Sequence, residues 1–463
     1  HNIPSWKKMC FVYFQYVLYY LLINFMYKNM LLSWELSKHV WEIVEIRGWL
    51  HTVRVVSANL AFLILRDRDG LAQVVFEDAN EIKKLEWCLL WTILSAKGTV
   101  AEMPKGKFRF ELQKASVNVI RKVVYPSPID ISKDEIHADW ETLLENKVVA
   151  LRHPTQMKIF KLAAIIEKNM RAFFDQNWFT QINSPKIIGF PTEWWAEVFE
   201  IDYFGRKAYL AQSPQFYKQM MVPVFERVYE IGRAYRAEKS NTSRHLSEIL
   251  MLDMEMGFID SFDDIIEMTE KFANFVVKQT WTEAEHLLTA LGATKPLLVD
   301  QFPRISVDDL HELMLKETGE DYRKEKDLAP SEEKFICEYS AKHWNSDFVI
   351  VDWFPWSDAK FYHHQNKDNP NIADRADLLF RGVEIVTLTQ REVNYQKLVD
   401  QIKAQGQNPE HPGLKHYLDS FKYGMPDEWG FGLGITRFIQ KLIGLENIKE
   451  AELFPRDVQR ITP

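Results

Sequence analysis

The sequence predicts an α+β protein of two main domains, a small all-β domain followed by a larger one of alternating strands and helices. Three observations lead there. Between Val44 and Val124, short runs alternate apolar and polar residues with a period of two. From about Leu151 the period becomes that of a helix. The chain is also long enough, at 463 residues of which 46% are hydrophobic, to bury more than one core.

The first domain, residues 41–125, is read from five runs: VEIRGWL, FLILRD, LAQVVFE, TVAEM and FRFELQKASVNVI. Each is bounded by turn residues. Five strands in about eighty residues suit a small barrel of the OB-fold kind, with a small sandwich as the alternative. The following YPSPIDISKDEIHADWETLL holds two prolines and mixed charges, and residues 126–150 read as a hinge. MKIFKLAAIIEKNMRAFFDQ then has helical spacing, FTQINSPKII reads as a strand, and alternation continues through residues 151–463. Within this domain, residues 261–346 are charged and helical in pattern and read as an insertion.

Residues 1–40 form an apolar extension. Its core, Cys10 to Tyr27, is uncharged and about as long as a bilayer-crossing helix. Gln15 and Asn24 interrupt it, and no small-residue cleavage site follows. We read it as non-native sequence ahead of a later start such as Met30, rather than as a membrane anchor. The net charge of -8 gives no overall attraction for nucleic acid, so RNA must meet a local patch. Cys10, Cys88 and Cys337 are far apart and form no CxxC pair. That argues against a disulfide framework or a zinc site, and for a reducing cytoplasm.

Two segments carry chemistry. FERVYEIGRAYRAEKSNTSRHLSEILMLDMEMGFI, Phe225 to Ile259, reads as a long hairpin with a charged tip. Arg236 and Glu238 end its first strand, Arg244 and His245 sit in the loop, and Asp253 and Glu255 lie on the return strand. Arg236 offers a planar fork of donors suited to phosphate or carboxylate. Alone, these charges fit a solvated surface equally well. The second segment, Gly430 to Asp457, begins GFGLGITRF, a glycine-rich strand entering a helix with Arg437 at the junction. Glycine lets backbone approach a ligand, and a helix start suits an anion.

Together the two segments resemble class II aminoacyl-tRNA synthetases. The hairpin looks like their motif 2, and Gly432 to Arg437 like motif 3. FTQINSPKI, with Pro185, looks like motif 1, the dimer element. The closing FPRDVQRITP is also typical, and the resemblance runs from about Val44 to Pro463. It implies an OB-fold anticodon-binding barrel joined to a catalytic domain built on an antiparallel sheet flanked by helices. Within the class, AQSPQFYKQ and RGVEIVTLTQR resemble segments of archaeal-type aspartyl-tRNA synthetases. Phe62 and Gln73 stand at positions like those that meet the anticodon.

The resemblance implies activation of L-aspartate by ATP with Mg²⁺, then transfer to tRNA(Asp), or to both tRNA(Asp) and tRNA(Asn). It implies a cytoplasmic homodimer. By the same resemblance, Arg236 holds the α-phosphate and the reacting carboxylate. Glu238, Arg244, His245 and Leu246 sit at ATP, and Arg437 with Gly434 lies at its γ-phosphate end. Glu384 holds the metal, with Thr387 where the family usually has serine. Arg391 and Lys218 face the aspartate side chain, and Glu193, Gln215 and Asp253 read its ammonium. The alternatives are an asparaginyl enzyme on the same fold and a non-catalytic tRNA-binding relative.

One departure stands out. Tryptophan occupies positions where the family has glycine: Trp41, Trp178, Trp194, Trp195 and Trp429. The chain has 15 Trp against 18 Gly. A turn needing positive φ accepts glycine and resists tryptophan. UGA encodes tryptophan in one variant code and glycine in another, so misread glycine codons would produce this pattern.

Overall fold

The computed structural model describes residues 31–133, 135–194, 197–240 and 242–462. The Cys10–Tyr27 run and Trp195 lie outside the described residues. Two compact units divide near His153.

In the first unit, β1 (Ile43–Ser57), β2 (Leu60–Arg66), β3 (Leu71–Phe76), β4 (Ile93–Glu102) and β5 (Phe110–Arg121) close a barrel in the order β1-β2-β3-β5-β4. Only β3 and β5 run parallel. Alternation explains the closure: Leu63, Leu65, Val74, Leu94, Val100 and Leu112 point inward and are fully buried. Gly48 is needed where strands crowd, since a Cβ there would sit 2.1 Å from the Arg66 carbonyl oxygen. A short helix, α1 (Ala79–Lys84), starts on Asp78, whose carboxylate accepts from the Asn80 backbone N–H at 2.7 Å. The stretch read as a hinge carries α2 (Trp140–Glu145) and α3 (Lys147–Ala150), and its Ile129, Ile131 and Ala150 pack with Trp91.

The second unit opens with α4 (Pro154–Gln176). Proline suits its first turn, and Ile159, Leu162, Ile166, Met170, Phe173 and Phe174 make one buried stripe. Then come β6 (Thr180–Gln181), β7 (Ile187–Ile188), β8 (Glu200–Tyr203), β9 (Arg206–Leu210), α5 (Gln215–Phe225), β10 (Arg227–Tyr235) and β11 (Glu248–Gly257). After them follow α6 (Phe262–Ala290), β12 (Arg304–Ser306), α7 (Val307–Thr318), α8 (Pro330–His343), β13 (Phe348–Asp352), β14 (Arg375–Phe380) and β15 (Val383–Gln390). The unit ends with α9 (Tyr395–Ala404), α10 (Pro412–Ser420), β16 (Glu428–Gly434) and α11 (Ile435–Ile443).

Eight of these strands form one sheet, ordered β12-β13-β14-β15-β16-β11-β10-β6. It is antiparallel except at its two edges, where β12 runs parallel to β13 and β6 parallel to β10. β7, β9 and β8 make a small separate sheet. One face of the large sheet lies on α4, α6 and α11 through the main core. The opposite face carries the polar residues considered below. Residues 261–346 are not an insertion set apart from this architecture. α6 packs Phe272, Ala273 and Val276 into the main core, and β12 is a strand of the sheet. Their charged exposed faces disguised that burial.

Phe174 sits at the centre of the core, stacked on Tyr229 at 4.7 Å, edge-on to Phe179 at 5.1 Å and tilted against Phe272 at 5.3 Å. Phe174→Ala should lower unfolding stability by about 3–5 kcal/mol. Urea unfolding of the variant checks this.

Candidate active site

The sheet's second face is set by alternation on three neighbouring strands. On β11, Leu252, Met254 and Met256 enter the core, so Asp253 and Glu255 face the other way. On β16, Trp429, Phe431 and Leu433 enter the core, leaving Gly430 and Gly432 as a bare floor. Asp253 pairs with Gly432, which pairs with Thr387, which pairs with Asp377. Glu255 pairs with Gly430, which pairs with Thr389 and then Arg375. The floor must be glycine: a Cβ on Gly430 would lie 1.9 Å from Glu255 Oε2.

Above this floor, α5 lowers three polar side chains, Gln215, Lys218 and Gln219. Lys218 is 2% exposed. Its Nζ donates to Asp253 Oδ1 and the Phe431 carbonyl oxygen, each at 3.0 Å, and lies 3.4 Å from Glu255 Oε2. Arg391 reaches Glu255 from the end of β15, with Nε at 2.6 Å and Nη2 at 3.1 Å from its two oxygens. Its Nη1 makes no hydrogen bond among the described residues, and the guanidinium lies over Tyr362 at 5.3 Å. Gln215 and Gln219 are one helical turn apart and bonded at 3.0 Å. Gln219 donates to Glu428 Oε1 at 2.7 Å and accepts from Tyr417 Oη at 3.0 Å. Two cations thus meet three buried carboxylates. Burial, then the neighbouring Glu255, pushes Glu428 well above the ordinary carboxylate range.

The hairpin tip forms the second part. β10 and β11 pair without a break from Arg227↔Met256 to Tyr235↔Glu248. Arg236 follows directly, its N–H bonded to the Ser247 carbonyl oxygen at 3.0 Å. The Arg236 guanidinium stands 3.8 Å from both Glu193 and Glu238, and its Nε is buried with no partner. A planar cation held short of full pairing is a poised receptor for an anion. His245 accepts or donates at Thr242 Oγ1, 2.6 Å away. Burial, together with Arg437, Arg244 and Arg236, lowers its pKa against the opposing pull of Glu238. Leu246 is buried beside it in the loop, and Arg244 donates to Glu333 at 2.6 Å.

The third part is an acid cluster on β14 and β15. A bulge opposite Leu378 and Leu379 breaks the period of two, so that Glu384 and Thr387, three residues apart, come together. Thr387 Oγ1 donates to Glu384 Oε1 at 3.1 Å. Arg437 Nη1 donates to Glu384 Oε2 at 3.0 Å and to its carbonyl oxygen at 2.7 Å. Gly434 is the N-cap of α11 that aims Arg437 this way. Burial would raise the Glu384 carboxyl, but Arg437 and Thr387 outweigh it and hold it low. Burial pushes Asp377 up to about 7 despite Arg375, and its Oδ1 is buried without a partner. Among the described residues no group of three metal-ligand side chains forms a cage. Oxygen donors on Glu384, Thr387 and Asp377 still fit Mg²⁺, which takes one or two protein carboxylates and completes its shell from phosphate and water.

The structure therefore gathers Arg236, Glu238, Arg244, His245, Leu246, Glu384, Thr387, Gly434 and Arg437 around one end of the face, and Gln215, Lys218, Asp253 and Arg391 around the other, with Glu193 beside both Arg236 and the Tyr362 ring that Arg391 covers. Phe62 and Gln73 lie in the first unit, on the outward side of β2 and β3. Ile64 pairs with Gln73 and Phe62 with Val75, so the two are diagonal neighbours. Gln73 donates to Glu111 at 2.5 Å. Sequence reading missed Asp377, Glu428 and Gln219 as site residues. The acid in RADLLF had no local signal; only the register opposite Thr387 reveals it.

The family described as class II tRNA synthetases (D, K and N) matches residues 139–458, and an OB-fold nucleic acid binding domain matches residues 44–120. The chain belongs to the class II tRNA synthetases. Among curated relatives of this synthetase, an aspartate–tRNA(Asp/Asn) ligase of Thermus thermophilus is 38% identical, covering 93% of this chain and 99% of that one. An aspartate–tRNA(Asp) ligase of Pyrococcus abyssi is 35% identical, covering 91% and 96%. Similar solved structures include an asparaginyl-tRNA synthetase of Pyrococcus horikoshii with asparaginyl-adenylate, at TM-score 0.84, 26% identity and 92% and 97% coverage. A putative aspartyl-tRNA synthetase of Leishmania major has TM-score 0.85, 26% identity and 96% and 100% coverage. No described helix of the synthetase is long and apolar enough to cross a membrane.

Glu428 gives a pH test. Its folded pKa lies above the unfolded value, so between the two the folded state holds more protons, and stability falls as pH rises from about 4.5. Glu428→Gln keeps an uncharged side chain at every pH. Its melting midpoint should exceed that of the parent at pH 8, and the difference should shrink toward pH 5. Equal differences at both values would remove the charge argument.

Proposed function

We propose that this synthetase is an aspartate–tRNA ligase. It joins L-aspartate to ATP as aspartyl-adenylate, then passes the aspartyl group to tRNA. The observation that carries the reading is the buried pair Lys218 and Arg391 at the glycine floor. Two cations beside a free Arg391 Nη1 select a second carboxylate, which aspartate has and asparagine lacks. The curated relatives named as aspartate ligases support the same choice.

In the first step, an oxygen of the substrate α-carboxylate forms a bond to the α-phosphorus of ATP. The bond from that phosphorus to the bridging oxygen breaks, and pyrophosphate leaves. Arg236, poised between Glu193 and Glu238, holds the α-phosphate and the attacking carboxylate. Arg437, with Gly434 at its helix start, holds the γ-phosphate end, and Glu238, Arg244, His245 and Leu246 line the nucleotide. Glu193, Gln215 and Asp253 receive the ammonium. Glu384, Thr387 and Asp377 would hold Mg²⁺, which when bound neutralises phosphate charge. In the second step a ribose hydroxyl oxygen of the terminal adenosine bonds to the acyl carbon, the bond from that carbon to the adenylate oxygen breaks, AMP leaves, and the hydroxyl proton is released. No enzyme nucleophile is required; catalysis is positioning and charge stabilisation. Phe62 and Gln73 read the anticodon, and the protein works in the cytoplasm as a homodimer through the FTQINSPKI segment around Pro185.

Aspartate-dependent ATP–pyrophosphate exchange tests the reading, with asparagine as control. It is run on the chain as written and with glycine at Trp178, Trp194, Trp195 and Trp429. Exchange with aspartate in either form is expected. Exchange with asparagine alone would make it an asparaginyl enzyme, and none in either form would leave a tRNA-binding protein without catalysis. Arg236→Ala should lower the exchange rate roughly 100- to 1000-fold. Charging assays with tRNA(Asp) and tRNA(Asn) side by side decide whether one tRNA or both are acylated.

A further inference from the structure

We infer that the natural protein carries glycine at positions 41, 87, 91, 178 and 353, encoded by UGA codons its source organism reads as glycine. Three of these positions, Trp87, Trp91 and Trp353, were not marked by any motif. The backbone marks them.

All five tryptophans have positive φ: 70° at Trp41, 66° at Trp87, 72° at Trp91, 65° at Trp178 and 60° at Trp353. A bulky L-residue there is an outlier, because Cβ crowds the neighbouring peptide. Trp6 and Trp195 lie outside the described residues, which leaves thirteen of the fifteen tryptophans. Five of these thirteen are left-handed. Among all other non-glycine residues described, only Lys114, Phe204, Glu226, Phe258, Asn345 and Arg381 are. No chemical property of indole favours this conformation.

The local geometry at four of the five is one that glycine ordinarily fills. Helix α4 ends in a Schellman motif: Phe179 N–H bonds the Phe174 carbonyl oxygen at 3.0 Å, with Trp178 at the left-handed position. The same motif ends α6 and α9. There Ala293 bonds Leu288 at 3.0 Å and Gln407 bonds Ile402 at 3.1 Å, and the left-handed residues are Gly292 and Gly406. This chain therefore uses glycine wherever else it builds that motif at a helix end named here. Trp41, Trp87 and Trp91 each stand third in a turn closed by a hydrogen bond. Those bonds run from Glu42 to His39, Cys88 to Leu85 and Thr92 to Leu89, at 3.0, 3.0 and 3.1 Å. A positive φ at the third residue of a turn is the glycine position of type II.

The side chains do not compensate. Trp41, Trp87 and Trp178 are 78%, 91% and 86% exposed, and Trp353 is 51% exposed. Deleting those four indoles leaves no cavity and relieves the backbone. Trp91 differs, since its ring is buried under the Arg66 and Arg152 guanidiniums. One decoding step accounts for all five positions, because UGA is tryptophan in one variant code and glycine in another. The backbone argument does not reach Trp194, which stacks on Phe361 at 4.6 Å, or Trp429, which is fully buried with an unpartnered Nε1.

Two experiments decide it, neither depending on the aspartate assignment. In the gene, codons 41, 87, 91, 178 and 353 are expected to be UGA. Trp281, packed in the interior of α6, is expected to be UGG; UGG at the five positions overturns the proposal. Second, the full chain is compared with a variant carrying Trp41→Gly, Trp87→Gly, Trp178→Gly and Trp353→Gly. The variant's melting midpoint should rise by on the order of 5 °C, or the variant should be soluble where the parent is not. An unchanged or lower midpoint overturns it. Trp281→Gly serves as comparator and should lower the midpoint by removing a packed core side chain.

Discussion

The site depends on one electrostatic constraint, the need to keep Lys218 and Arg391 charged inside the protein. Two buried cations are costly to hold without partners. Asp253 and Glu255 supply them from successive positions on the site-facing side of a single strand, at 3.0 Å and 2.6 Å. That arrangement requires a flat floor on the neighbouring strand, because the Glu255 carboxylate occupies the space a side chain on Gly430 would take. The glycines of β16 are thus explained by the acids of β11, and the acids by the cations above them. Glu428, two residues before Gly430, adds a third acid, and burial with Glu255 beside it raises its pKa.

The same sheet separates two kinds of chemistry. At the Lys218 end, the charges are paired, dry and fixed by bidentate contacts, which suits recognition of one small polar group. At the Arg236 end, the contacts are longer, at 3.8 Å, and an Arg nitrogen is left unpartnered. Such a site is completed by an anion rather than by the protein. The bulge in β15 joins the two ends, since it turns Glu384 and Thr387 to one side across from Asp377. On the proposed reading, the aspartate carboxylate sits where fixed cations meet the open phosphate-binding half.

Much of this was legible in the sequence because hairpins and strand–helix junctions are local. Phe225 to Ile259 showed its strands by alternation and its loop by polarity, and the pairing from Arg227 to Tyr235 follows that pattern without a slip. Gly432 to Arg437 likewise placed a glycine strand before a helix. Long-range facts were not legible. Lys218 was placed at the site by resemblance alone, and its burial shows only once α5 is laid on the sheet. Asp377 gains meaning only opposite Thr387, and Glu428 only beneath Gln219. The stretch 261–346 was misread because its helices are amphipathic and β12 is three residues long, too short to show a period.

The tryptophans show the opposite case, where structure corrects the reading of individual letters. Trp194 and Trp429 lie close to the proposed chemistry, Trp194 one residue after Glu193 and Trp429 beside Glu428 and Gly430. The positions with positive φ lie elsewhere, at a helix end and in turns. A single functional change would cluster at the active site. A decoding change falls wherever a glycine codon happened to be UGA, so it scatters over barrel, helix end and strand end alike. The observed scatter, joined to glycine at the matching ends of α6 and α9, is what a change of code predicts and what divergence of function does not.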